Sequence, residues 1–287
     1  MKLVESKILD LNSKVREFFP YELYSRFTIR DLLAHRSGLT EWRPFYAEIE
    51  DSSEIISFIA ALPLRYNPGE DRHYSDLGFI LLGEIIKQVT SVGLEENFAR
   101  FVSGPLNLSD TTYAKPVDLS RTVISSFGDQ AEMQMLASNL PYKVDTSVNS
   151  FKRWRNYPLQ GEINDGNSFH LFGGVAGHSG LFSTPKNLST FVQELVSGDY
   201  FSELANFCSE KSDPSQALGF ARYKLLTNKG SEIGFGHTGF PGVAIAFFPE
   251  SKRGLVLCTN RLLVQSHPIQ TISYLDQLLT SLINGEI

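Results

Sequence analysis

Two cysteines in 287 residues, Cys208 and Cys258, are too few for a disulfide framework or a zinc cage. Neither has an adjacent histidine or basic side chain to make it a reactive thiolate, so a cysteine nucleophile is not expected. Cys258, beside Leu255-Val256-Leu257, reads as a small core residue. Positive charge is also scarce. Lysine and arginine number 26 against 32 acidic residues, for a formal net charge of -6, and without clustered cations nucleic acid is not an expected partner. No apolar run reaches the ~20 residues that span a bilayer. The most apolar stretch, Leu77 to Val89, is broken by Gly83, Glu84, Lys87 and Gln88 and reads as a buried core helix. The first residues show no basic, apolar and small-residue succession of a secretory signal, which leaves the compartment open. No metal and no cofactor is expected. With 42% hydrophobic and 20% charged residues the chain has the means to bury a large core. The expectation is one domain over residues 1-287, with residues 1-180 a mainly helical lobe and residues 181-287 a mainly sheet lobe.

Helical signals dominate the first half. The segment Met1 to Glu5 reads as the end of a helix, closed by the polar turn Asp10-Leu11-Asn12. Thr28 is placed to cap a second helix with Asp31 in the fourth position, a capping-box variant, and Gly38 suits the left-handed position beyond it. His35, in the last turn, complements the helix dipole as a cation and reads as structural. Asn67-Pro68-Gly69-Glu70 is a turn. After it come His73 and Tyr74, then a helix from Asp76 with Phe79, Leu82, Ile86 and Val89 at helical spacing and Gly93 near its end. Tyr74 therefore sits at the mouth of a rigid element, where a side chain is held in a fixed direction. Alone, such a tyrosine is a packed anchor, and Asp76 alone is a helix N-cap. Residues 110-167 read as long loops with short helices that roof a cleft.

The glycine-rich run Phe172 to Gly180 lacks the spacing and lysine of a phosphate loop, and close backbone packing explains it. Thr184 caps a helix with Pro185 in its first position and Leu188, Phe191, Val192 and Leu195 as its stripe. That cap accounts for Ser183-Thr184-Pro185-Lys186, the one Ser-x-x-Lys in the chain, as local structure rather than a nucleophile. His178, Arg261 and His267 read as structural too. Phe220-Leu225, Ile233-Thr238, Val243-Phe248 and Leu255-Thr259 have the character of short strands, with a turn at Lys229-Gly230. A closing helix runs from Pro268 through Ile272, Leu275, Leu279 and Leu282. Helices followed by an antiparallel meander under a helix make an α+β layout.

Tyr74-Ser75-Asp76 ahead of a long apolar helix, and His237-Thr238-Gly239 at the end of a glycine-rich strand, resemble the second and third motifs of the penicillin-recognising serine hydrolases. These are the serine β-lactamases, D-alanyl-D-alanine peptidases and related esterases. Leu32-Leu33-Ala34-His35-Arg36-Ser37-Gly38-Leu39 adds to the resemblance, which covers essentially the whole chain. It implies a β-lactamase/transpeptidase-like fold. It also implies a first motif, Ser-x-x-Lys, whose serine attacks and whose lysine sits one helical turn later, and no such tetrad precedes Tyr74. The expectation is an amino-terminally truncated chain that lacks an N-terminal helix, two strands and the start of the Ser-x-x-Lys helix, with the nucleophile about three helical turns before Met1.

By that resemblance Tyr74 serves the proton steps of acyl transfer and Asp76 holds the lysine, accepting hydrogen bonds where many relatives carry an asparagine. His237 stands in for a lysine, placing a donor or partial positive charge near a substrate carboxylate or Tyr74. Thr238 and Gly239 give backbone room, and the amide of Phe240 is one of two oxyanion donors. The function implied is a serine acyl hydrolase, acting as a D-alanyl peptidase, esterase or β-lactam hydrolase on a small-molecule or peptidoglycan-derived substrate, with these 287 residues alone inactive. The alternative is a non-catalytic relative that binds peptidoglycan-like or ester ligands, and a third reading is an unrelated enzyme using Ser183 or a histidine. Without the missing strands, Leu255-Thr259 becomes an open, aggregation-prone edge.

Overall fold

The computed structural model describes residues 1-113, 116, 118-227, 230-263 and 270-284. The helices are α1 (Lys2–Glu5), α2 (Ile29–Leu33), α3 (Phe45–Glu48), α4 (Ile55–Ala61), α5 (Asp76–Thr90), α6 (Leu94–Phe98), α7 (Gln130–Ser138), α8 (Gly166–His170), α9 (Pro185–Ser197), α10 (Leu204–Cys208) and α11 (Thr271–Asn284). The strands are β1 (Ile124–Phe127), β2 (Pro158–Gln160), β3 (Ala221–Thr227), β4 (Gly230–Thr238), β5 (Val243–Phe248) and β6 (Arg253–Cys258). The last four form one antiparallel sheet in the order β3-β4-β5-β6, with α9 and α11 packed on it. The α+β layout expected from the sequence is the one found. Four expected sites, the turn at Lys229, His267, the helix start at Pro268 and the Leu282 side chain, lie outside the described residues.

The core of the helical part is built on α5. Leu77, Leu81 and Ile85 are fully buried and Ile80 nearly so, in one cluster with Tyr24, Phe27, Leu32, Phe45 and Ile59. The expected stripe is wider than drawn: Leu82 belongs to this cluster, Phe79 and Val89 pack half-buried against it, and Ile86 is half-buried. The cause is packing on several sides, with α2 against one face and the glycine run against another. A side chain on Gly177 would overlap the Phe79 carbonyl oxygen, so the run is there to let backbone meet backbone.

Three end assignments change as well. The left-handed residue directly past α2 is His35, at φ 56, while Gly38 is left-handed as expected, at φ 82, three residues further on. The left-handed close of α5 is Ser91, while Gly93 begins α6. Helix α1 ends at Ser6, before the polar turn at Asp10. Residues 110-167 hold a two-stranded sheet, β1 with β2, that the loop reading missed. Cys258 is exposed, not in the core, because β6 is a sheet edge. Among the described residues no single helix is long and apolar enough to cross a membrane.

Candidate active site

The segment carrying Tyr74 is held by the backbone of residues 35-41. His35 O accepts from His73 N and from Tyr66 Oη, both at 3.1 Å. Ser75 N donates to His35 Nδ1 at 3.0 Å, Ser75 Oγ donates to Thr40 O at 2.7 Å, and Asp76 N donates to Glu41 O at 2.8 Å. Ser75 is the cap of α5, its hydroxyl accepting from Gly78 N at 3.3 Å. Asp76 is the first helical residue and not the N-cap expected for it, so its carboxylate is left for other partners. His35 is also corrected. It is buried and accepts a hydrogen bond at Nδ1, and burial, then the nearby His237 and Arg72, lower its pKa to about 3. It acts as a neutral acceptor and not as a cation at a helix end.

Tyr74 packs on His35 with ring centroids 4.5 Å apart and planes tilted by 37°, and its ring centroid lies 5.8 Å from that of His237. Two of the motif residues thus meet across the cleft between α5 and β4. Although Tyr74 is 42% exposed, desolvation of its phenol, followed by the charge of Asp76, drives its pKa upward. It is a protonated acid here. His237 is half-buried, and burial lowers its pKa. Its Nδ1 donates to the Thr238 carbonyl at 2.9 Å, which leaves Nε2 as an acceptor. Of the donor or partial positive charge expected at His237, the Nδ1 donor is turned to the Thr238 carbonyl and the lowered pKa favours the neutral ring.

Thr238, Gly239 and Phe240 complete the turn after β4. Gly239 N donates to Val243 O at 2.6 Å and its carbonyl accepts from Thr271 Oγ1 at 3.0 Å. The Phe240 carbonyl accepts from Arg261 Nε at 2.7 Å, with the guanidinium 5.1 Å from the Phe240 ring centroid. Arg261 is buried and braces this turn. Ser183 bonds to Thr111 Oγ1 at 2.8 Å and Thr184 caps Asn187 N, in line with the local reading of that tetrad.

Below Tyr74 the structure gathers residues that the sequence reading left out. His178 Nε2 lies 3.0 Å from Asp165 Oδ1, and ligand atoms of Asp76, Asp165 and His178 all lie within 4.8 Å of one another. Burial raises the Asp76 pKa to about 6 against the opposing charge of His178. Burial also opposes protonation of His178, yet the Asp165 carboxylate carries its pKa up to about 9, and Asp165 itself is held low by that imidazolium. Glu132 Oε1 accepts from Gly166 N at 2.6 Å, while burial, then Asp165, push its pKa up to about 8. A side chain on Gly166 would overlap the Glu132 carboxylate. The available signals were His178 flanked by glycines and Asp165 just before Gly166; neither names a partner.

The Beta-lactamase family model matches residues 1–278, and the chain belongs to that family. A Bacillus subtilis (strain 168) N-acetylmuramyl-L-alanine amidase is 26% identical over 91% of this chain and 64% of its own length. An Escherichia coli (strain K12) protein whose name proposes a D-alanyl-D-alanine carboxypeptidase is 27% identical over 81% of this chain and 56% of its own. The chain thus spans less than two thirds of these curated relatives. Among solved structures, a class C beta-lactamase superposes with a TM-score of 0.69 at 16% identity, covering 97% of this chain and 76% of that one. The octameric penicillin-binding protein homologue from Pyrococcus abyssi gives 0.66 at 20%, covering 99% and 62%. These two likenesses establish the β-lactamase/transpeptidase-like fold.

Proposed function

We propose that the chain carries the proton-transfer and substrate-gripping part of a serine acyl hydrolase acting on an amide, ester or lactam, with a peptidoglycan-derived amide as the favoured substrate. The observation that carries this reading is the meeting of Tyr74 and His237 at 5.8 Å above Asp76. Tyr74 is the acid that delivers a proton to the leaving group, and the His237 Nε2 lone pair is an acceptor for a substrate N–H or for the phenol proton. Asp76 fixes a cation beside Tyr74, the end of β4 at Thr238 and Gly239 gives room for an extended substrate, and the Phe240 amide serves as an oxyanion donor. The preference for peptidoglycan comes from the names of the amidase and carboxypeptidase relatives. Because the sequence holds no Ser-x-x-Lys ahead of Tyr74, no serine-dependent turnover is expected from these 287 residues.

The same lack favours a second reading, a ligand-binding relative without turnover. Both predict that N-acetylmuramyl-L-alanine binds in the cleft. Isothermal titration of the 287-residue protein with that ligand is expected to give measurable binding that His237→Ala weakens several-fold. Absence of binding to this ligand and to D-alanyl-D-alanine peptides would remove the peptidoglycan preference. Binding indifferent to His237 would place the ligand elsewhere.

A further inference from the structure

Asp76 is fixed at the first position of the 15-residue helix α5, and Asp165 at the cap of α8, where Oδ1 accepts from Ser168 N at 2.7 Å. His178 is held in the glycine run that packs on α5, its side chain only 2% exposed. Three separate elements therefore aim one nitrogen and two carboxylates at a common point. Beside them lies Glu132, 6% exposed and within reach of the Tyr46 hydroxyl, and the buried His178 Nδ1 has no hydrogen-bond partner among the described residues. One imidazole nitrogen and two carboxylate oxygens that converge in a buried place form a donor set for a cation.

We propose that Asp76, Asp165 and His178 bind one divalent metal ion, Zn²⁺ in preference to Mg²⁺ or Ca²⁺. One imidazole with two carboxylates suits Zn²⁺, whereas Mg²⁺ and Ca²⁺ take all-oxygen sets. Tetrahedral bonds of about 2.0–2.1 Å place ligand atoms about 3.4 Å apart. A separation of up to 4.8 Å closes to that by small side-chain rotations. On binding, the Nε2 proton shared with Asp165 leaves to solvent, Nε2 and one oxygen of each aspartate bond the metal, and water fills the open position. The ion brings positive charge next to Tyr74, whose phenol lies near the Asp76 and Asp165 carboxylates. The site needs no serine nucleophile, so its failure and that of the hydrolase reading are separable.

The test is calorimetric titration of the chelator-treated 287-residue protein with Zn²⁺ at pH 7.5, repeated in two buffers of different ionisation heat. One equivalent is expected to bind with micromolar or better affinity and to release protons. Asp165→Asn, which keeps the cap acceptor, and His178→Gln are each expected to weaken binding at least tenfold, while His73→Gln leaves it unchanged. Should either variant fail to fold, Asp76→Asn and the visible spectrum of Co²⁺ bound to the parent chain give the same readout. The proposal is overturned by absence of stoichiometric binding or by affinity unaffected in Asp165→Asn and His178→Gln. It is overturned too if His73→Gln abolishes binding, or if butylammonium raises the melting temperature where Zn²⁺ does not, which assigns the site to an ammonium.

Discussion

Two buried ionic clusters lie close together in this molecule and are built on opposite plans. In the first, Asp129 accepts from Arg155 N, Nε and Nη2 at 2.8, 2.9 and 2.5 Å and pairs with His170 Nε2 at 3.0 Å. Arg155 spends its remaining donors on the carbonyls of Ile163 and Asn164 and stacks 3.8 Å from the Phe169 ring centroid. Every charge there has its counterpart, and the Asp129 pKa stays below its ordinary value despite burial. In the second, around Asp165, one imidazole faces the carboxylates of Asp76 and Asp165, and His178 Nδ1 stays open among the described residues. A cluster that serves the fold satisfies itself, whereas one kept for chemistry leaves valences for something that arrives.

The comparison is broken most severely at Arg155. Arg155→Ala strands a buried carboxylate, and a loss of about 3–5 kcal/mol in urea unfolding is expected; a loss below about 1 kcal/mol would show that Asp129 is not held as described. His35→Ala follows, at about 2–3 kcal/mol, because Ser75 N loses its acceptor and a cavity opens under Tyr74. Since folding depresses the His35 pKa from 6.5 to about 3, its contribution is complete above about pH 6.5 and is lost as pH falls toward 3. Melting curves of parent and His35→Ala should therefore converge in acid. Divergence there would reverse the assignment of a neutral ring.

Glu132→Gln sharpens the contrast from the other side. The amide keeps an acceptor for Gly166 N and removes a charge that the fold disfavours. With the folded pKa raised from 4.5 to about 8, the parent loses stability as pH rises between those values. In chelator the variant should be more stable by about 1–3 kcal/mol at pH 8 and no different near pH 4. A destabilised variant at pH 8 would mean that Glu132 is already compensated. The smallest effect is expected at the sheet edge, where Cys258→Lys should change stability by less than about 0.5 kcal/mol and reduce aggregation in light scattering. Unchanged aggregation would absolve that edge.

Local signals were legible before any coordinates. The Thr28 and Asp31 capping box is present with both bonds, and Thr184 with Pro185 opens α9. The strands of the large sheet fall within a few residues of their expected ends, because alternating β-branched and aromatic residues between turns leave few other options. Tyr74 and His237 were legible as motifs, and their meeting needed the fold. What escaped is non-local. Asp76, Glu132, Asp165 and His178 converge from four parts of the chain, and no spacing announces that. The neutrality of His35 and His237 depends on burial and on which ring nitrogen meets which backbone group. The β1–β2 pair escaped because its strands are three and four residues long, contain serine and proline, and carry a register shift.

On the proposed reading an acid, an acceptor and a cation socket lie together without an attacking hydroxyl. Intact-mass spectrometry after incubation with a fluorescent penicillin and with a nitrophenyl ester tests that most directly. The mass is predicted to remain that of the unmodified chain; an acyl adduct on any serine of these 287 residues would contradict it.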